Sequence, residues 1–181
     1  MTLRLTLISQ EVEDFIQEFK IDADASFLDL HRLILQHCGY EELPGQRFFI
    51  CDDNWYPTRR ILLADEGDVD IDEDIYLMGD TDLREFLEDE GQRFAYRFDP
   101  VNRRMFLLEL TETTFGDKVP ETGLLTRRHG DVPPQLLQEE DAAPAPTASN
   151  VVSEELEEAF YGDDGFDEED LDMEGFDILN Q

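Results

Sequence analysis

Charge is segregated along this chain, and that segregation limits where a folded body can lie. The last basic residue is Arg128, and residues 138–181 carry sixteen acids with no Lys or Arg. Half of the formal charge of −32 therefore sits in one terminal segment. Like charges at this density repel and hold a chain open, so the segment is expected to be a mostly disordered acidic tail. It is not uniformly polar. Phe160, Tyr161, Phe166, Leu171, Met173, Phe176, Ile178 and Leu179 are set among the carboxylates. A purely solubilising tail gains nothing from these side chains, whereas a segment that docks on a basic, partly apolar surface uses both kinds.

Folding is left to the residues before the tail. The periodic apolar sequence runs from residue 1 to about 115, enough for one independent core. Leu3, Leu5 and Leu7 alternate with polar neighbours as in a strand, and Phe15, Phe19 and Ile21 repeat the pattern after a short polar connection. Ser26 with Asp29 three residues on reads as a capping-box variant. Phe27, Leu30, Leu33, Ile34 and Cys38 then recur at helical spacing up to Gly39, a C-terminal stop. Further strands are expected at 47–51, 61–63, 75–78, 94–98 and 105–111, with a brief helix capped by Thr81. The resulting expectation is an α+β roll of antiparallel strands around one main helix, β-grasp-like in plan. Residues 116–150 are expected to be a Pro-rich linker, because Pro120, Pro133, Pro134, Pro144 and Pro146 interrupt any long element. Residues 151–181 form the acidic-aromatic tail.

Several residues in this order resemble a bacterial signature. They are Ser26-Phe-Leu-Asp-Leu-His-Arg-Leu-Ile34, Cys38-Gly39-Tyr40, the aromatic strand Phe48-Phe49-Ile50, Tyr56, and Phe94-Ala-Tyr96-Arg-Phe98-Asp99. Together they are similar to the Ri-plasmid open-reading-frame-three-like family, which carries an insertion-sequence passenger annotation. The resemblance spans roughly residues 2 to 112. It implies an α+β roll, a bacterial source and an association with mobile elements, and it implies no particular activity. The chain departs from the family where members carry Trp-Arg-Arg in the second strand, having Ile16-Gln17-Glu18 instead. It departs again after the Tyr-Asp strand, which continues as Asp99-Pro-Val-Asn-Arg-Arg-Met-Phe106. If the family's Trp, Arg and His residues serve a site, this member lacks it and keeps the domain as a binding scaffold.

Constellations that would carry chemistry are weak. His31, His37, Cys38 and Cys51 lack the paired spacing of a zinc site, and His31 is expected to be buried and bonded to backbone. Asp68, Asp70, Asp72 and Asp74 start like a calcium loop, but Glu73 stands where the loop needs Gly and Gly79 where it needs Glu. Ser26 is committed to its cap and Cys51 has no expected His beside it. No catalytic, cofactor-binding or metal residues are therefore assigned, and no cofactor. An overall pI near 4.1 argues against direct nucleic-acid binding. Two cysteines, no signal-peptide pattern and no long apolar run point to a cytoplasmic protein with reduced thiols and no membrane contact.

The expected function is a non-enzymatic protein-interaction module. Its partner-binding residues are Phe160, Tyr161, Phe166, Leu171, Phe176 and Ile178 in the tail. Trp55 and Tyr56 add an aromatic patch on the body. The expected partner is a basic, nucleic-acid-associated protein, bound by nucleic-acid mimicry. Two alternatives stand beside this: an enzyme or small-ligand domain of unknown substrate, and a tail that only solubilises the protein or covers its own arginine pairs, Arg59-Arg60, Arg103-Arg104 and Arg127-Arg128.

Overall fold

The computed structural model describes residues 1–67 and 75–137. Eight strands and one α-helix follow in the order β1 (Thr2–Ser9), β2 (Ile16–Asp22), α1 (Phe27–Cys38), β3 (Arg47–Cys51), β4 (Pro57–Leu62), β5 (Tyr76–Leu77), β6 (Arg93–Asp99), β7 (Arg104–Thr114) and β8 (Leu124–His129). They make one open mixed sheet, ordered β5-β4-β3-β6-β7-β1-β2-β8. Only the β4–β5 pair is parallel. The chain is thus α+β, with most of its regular structure in the sheet.

Helix α1 starts where its cap chemistry dictates. The Ser26 hydroxyl accepts from the Asp29 amide at 3.2 Å, and the Asp29 carboxylate accepts from the Ser26 amide at 3.0 Å. Gly39, left-handed at φ 70°, ends it. The apolar stripe of α1 packs on one face of the sheet. Leu30 and Ile34 join Leu5, Leu7, Phe19, Ile21, Phe48 and Ile50 in a single buried cluster. Rings fill its centre: Phe48 lies 4.7 Å from Tyr96, and Phe98 stacks on Phe106 at 4.4 Å between centroids.

Three boundaries differ from those read from sequence. Strand β4 begins at Pro57, four residues before the expected start, because pairing with β3 recruits exposed residues that show no apolar alternation. The brief helix after Thr81 is a single 3-10 turn at Leu83–Glu85, capped by Asp82 instead. Most important, β8 lies inside the expected linker and pairs with β2, so residues 116–137 are part of the body. Five of its six residues are fully exposed or charged on the surface side, which hides the strand from a hydrophobic pattern. Gly130 secures its far end. With φ 75°, it lets the chain pass so close to β2 that an added Cβ would sit 2.6 Å from the Asp14 carbonyl oxygen. The expected tail and its disorder lie outside the described residues.

Candidate functional site

Just before the acidic segment, a strap of chain is held by the side chains of Tyr40 and Arg104 and by its own Gln135. The Tyr40 hydroxyl donates to the Pro133 carbonyl at 2.5 Å. Arg104 Nη1 donates to the Pro134 carbonyl at 2.9 Å and to the Gln135 carbonyl at 3.1 Å. Gln135 completes the attachment by exchanging two bonds with the Glu41 backbone, accepting from its amide at 2.9 Å and donating to its carbonyl at 2.7 Å. The two prolines that argued for a linker are bound, not free: with no amide to donate, their carbonyls serve as acceptors instead.

Arg104 is the hub of this strap. It is 7% exposed and pairs with Glu11 at 2.6 Å and with Asp99, itself 0% exposed, at 3.3 Å. Its guanidinium also lies 4.9 Å over the Phe98 ring. Burial works against the charge, but the hydrogen bonds and fields of Glu11 and Asp99 outweigh it and raise the Arg104 pKa above the ordinary value. Asp99 is satisfied on its other side by the amides of Val101 and Asn102, both at 3.1 Å. Its neighbour Arg103 is exposed, with φ 54°. The Arg103-Arg104 pair therefore splits into one surface residue and one structural residue.

The three arginine pairs do not form one patch. Arg59 and Arg60 lie on β4 near one end of the strand order, and Arg127 and Arg128 on β8 at the other edge, with five strands between them. A different basic cluster exists on the face of the sheet opposite α1. There Phe49, Cys51, Ala95, Met105 and Leu107 form a second apolar cluster with Trp55 packed against it. Arg60 is the β4 register partner of Phe49, and Arg47 is the β3 register partner of Arg97, so these guanidiniums share that face. Arg97 lies 5.0 Å over the Phe49 ring, and Arg93 lies 5.3 Å over Trp55. Among acids, Glu66 meets Arg47 at 2.8 Å and Glu109 meets Arg93 at 3.8 Å.

Trp55 and Tyr56, expected as one exposed patch, divide. The β3–β4 turn is built on Asp52, whose Oδ1 accepts from the amides of Asn54 and Tyr56 at 2.8 and 3.0 Å. This places Trp55 at φ 68° with its indole half-buried against the second cluster, while Tyr56 stays 51% exposed. A groove of about 150 Å³ runs beside the indole between Ile8, Leu107 and Glu109. The tail residues Phe160, Tyr161, Phe166, Leu171, Phe176 and Ile178 lie outside the described residues, as do Asp68, Asp70, Asp72 and Asp74.

The buried titratable groups serve the core. His31 is buried as expected, but its partners are side chains and not backbone. Nδ1 lies 2.8 Å from the Tyr96 hydroxyl and Nε2 lies 3.3 Å from Glu42. Burial lowers its pKa, against the opposing pull of Glu42. Burial also pushes the thiols of Cys38 and Cys51 up to about 12, the reverse of what a nucleophile or metal ligand needs. Among the described residues no group of three His, Cys, Asp or Glu side chains is placed to hold a metal ion. No helix among them is long and apolar enough to cross a membrane.

No family model matches the chain, and no curated protein matches it. Among solved structures, the chain is similar to a protein of unknown function from Methanosarcina mazei Go1, MM3350. It superposes with a TM-score of 0.51 at 12% identity, over 70% of this chain and 68% of that one. This likeness concerns the fold alone.

Proposed function

We propose that this protein is a non-enzymatic interaction module whose acidic-aromatic tail docks on a basic, nucleic-acid-associated protein, imitating nucleic acid. The observation that carries the reading is the strap at Pro133–Gln135. It fixes the chain just before residues 138–181, which carry sixteen carboxylates and no Lys or Arg. A segment tethered at a fixed point searches a restricted volume, and by random-coil scaling residues 138–181 span roughly 35–40 Å. Carboxylates supply long-range attraction that salt screens, and Phe160, Phe166 and Phe176 add an apolar contribution that salt does not weaken. The roll of strands around α1, β-grasp-like and akin to the plasmid open-reading-frame-three-like family, and a cytoplasmic location belong to the same reading. The test is partner capture by the full chain against a Phe160→Ala, Phe166→Ala, Phe176→Ala variant of unchanged charge. Weaker capture by the variant at high salt is expected. Equal capture reduces the tail to a charge effect.

A further inference from the structure

Gln17 is buried in the core with half of its side chain unused. It lies on β2 and is 0% exposed, and the Cys38 thiol donates to its Oε1 at 3.7 Å. Nε2, the other arm of the same carboxamide, has no hydrogen-bond partner. A buried donor left unpaired carries its full desolvation cost, so this group calls for an acceptor. Two further donors stand beside it. Arg128 is the β8 register partner of Gln17, which sets their Cβ atoms about 5 Å apart and turns both side chains toward the face that α1 covers. The last turn of α1 closes the cluster. Burial, and then the Arg128 charge, lower the His37 pKa, and the same charge opposes the burial that raises the Cys38 thiol. His37, half-buried with its ring 6.0 Å from that of Phe19, is therefore neutral at pH 7 and keeps one N–H to donate. Arg127, on the other face of β8, is answered by Glu18 at 3.0 Å. Among the described residues neither Arg128 nor His37 makes a hydrogen bond or an ion pair.

We infer that Gln17, His37 and Arg128 form a binding site for a carboxylate, set between the end of α1 and the β8 edge of the sheet. The Arg128 fork supplies paired N–H groups that match a carboxylate, and the Gln17 amide and the His37 N–H meet its remaining lone pairs. The three donors are graded in depth, with Arg128 exposed, His37 half-buried and Gln17 fully buried. An anion therefore enters past Arg128 and ends on Gln17. The site lies at the C-terminal, negative end of α1, in a chain of net charge −32. Both fields penalise a dianion more than a monoanion, which selects a carboxylate over a phosphate. A free acid and an acidic side chain of a protein segment share this chemistry. The site uses no residue of the strap or of residues 138–181, so it stands apart from the proposed function.

The test is an NMR titration of the isotope-labelled full chain with acetate replacing chloride at constant ionic strength. The Gln17 side-chain amide resonances are assigned by their loss in Gln17→Met. A ligand as small as acetate binds no tighter than about 10⁻⁵ M, so the titration runs through the millimolar range. The Gln17 amide protons are expected to shift and saturate, and the His37 pKa to rise as the carboxylate binds beside it. Arg128→Gln, an exposed substitution, should weaken binding about tenfold or more. Arg127→Gln, whose guanidinium pairs with Glu18 on the other face, should bind as the native chain does. A flat titration, as hydration of Nε2 alone would give, overturns the inference. So does an equal response in Arg128→Gln, or tighter binding of inorganic phosphate than of acetate. A parallel titration with N-acetylglutamyl amide assigns the source once acetate binds: binding of both admits a protein side chain, and binding of acetate alone restricts the site to a free acid.

Discussion

Replacing Arg104 by Ala tests how the body holds the start of its tail. The substitution removes contacts to Glu11, Asp99, Pro134 and Gln135 at once. The decisive loss is at Asp99, which is 0% exposed and left as an unpaired buried carboxylate with only the Val101, Asn102 and side-chain amide donors. Breaking a buried pair on one side costs about 3–5 kcal/mol. For a body of this size that lowers Tm by about 10–15 °C. Arg103→Ala is the matched control, since an exposed substitution next door should change stability by less than about 0.5 kcal/mol. Thermal melting followed by circular dichroism reads the first effect. Hydrogen exchange reads the second: the Glu41 amide, which donates to the Gln135 side chain of the strap, should lose protection in Arg104→Ala while α1 keeps it. If Arg104→Ala melts with Arg103→Ala, or the Glu41 amide exchanges unchanged, Arg104 is not the hub described here.

Three further outcomes follow from the same geometry. Because burial lowers the His31 pKa, the unfolded chain binds the proton more tightly below pH of about 6.5. Stability should therefore fall as pH drops from 7 toward 5, and His31→Gln should flatten that slope in denaturant titrations. A slope unchanged in the variant removes His31 as its cause; His37, shifted the same way, is then the next group to replace. With their thiols pushed to about 12, Cys38 and Cys51 should resist iodoacetamide at pH 8 in the native protein and react once it is denatured; fast native labelling contradicts the burial described. Gly130→Ala should cost at least about 1–3 kcal/mol, since φ 75° and a backbone atom at 2.6 Å both oppose a Cβ. A neutral result would mean that β8 does not dock on β2 as described.

What was legible in the sequence is what local chemistry encodes. Ser26, Asp29 and Gly39 mark the helix by contacts within four residues, and the alternation in Leu3–Leu7 and Phe15–Ile21 assigns faces without tertiary knowledge. The strand residues Leu3, Leu5, Leu7, Phe15, Phe19 and Ile21 and the helix residues Phe27, Leu30, Leu33 and Ile34 picked out by that spacing all lie in one buried cluster. Strand β8 was missed because its sequence, Leu-Leu-Thr-Arg-Arg-His, buries only part of Leu125 against the core and presents charge elsewhere. Its flanking glycines, Gly123 and Gly130, were the available signal: both have positive φ and both approach neighbours too closely for a side chain. The strap was illegible for another reason. Glu11, Tyr40, Asp99, Arg104 and Pro134 are ordinary residues far apart in the chain, and only the sheet order brings them together. The Arg47–Arg97 pairing likewise depends on register, which no single segment declares. Trp55 was expected as a surface patch, and its burial depends on a turn at Asp52 that folds the indole back over β3 and β6.

The account turns on the tail, so the most direct measurement is quantitative partner capture by the full chain and by a chain ending at Asn150, in parallel and across a salt series. The account predicts that the shortened protein melts like the parent and recovers none of the basic partners. Recovery of the same partners by both chains, in similar amounts, would contradict it.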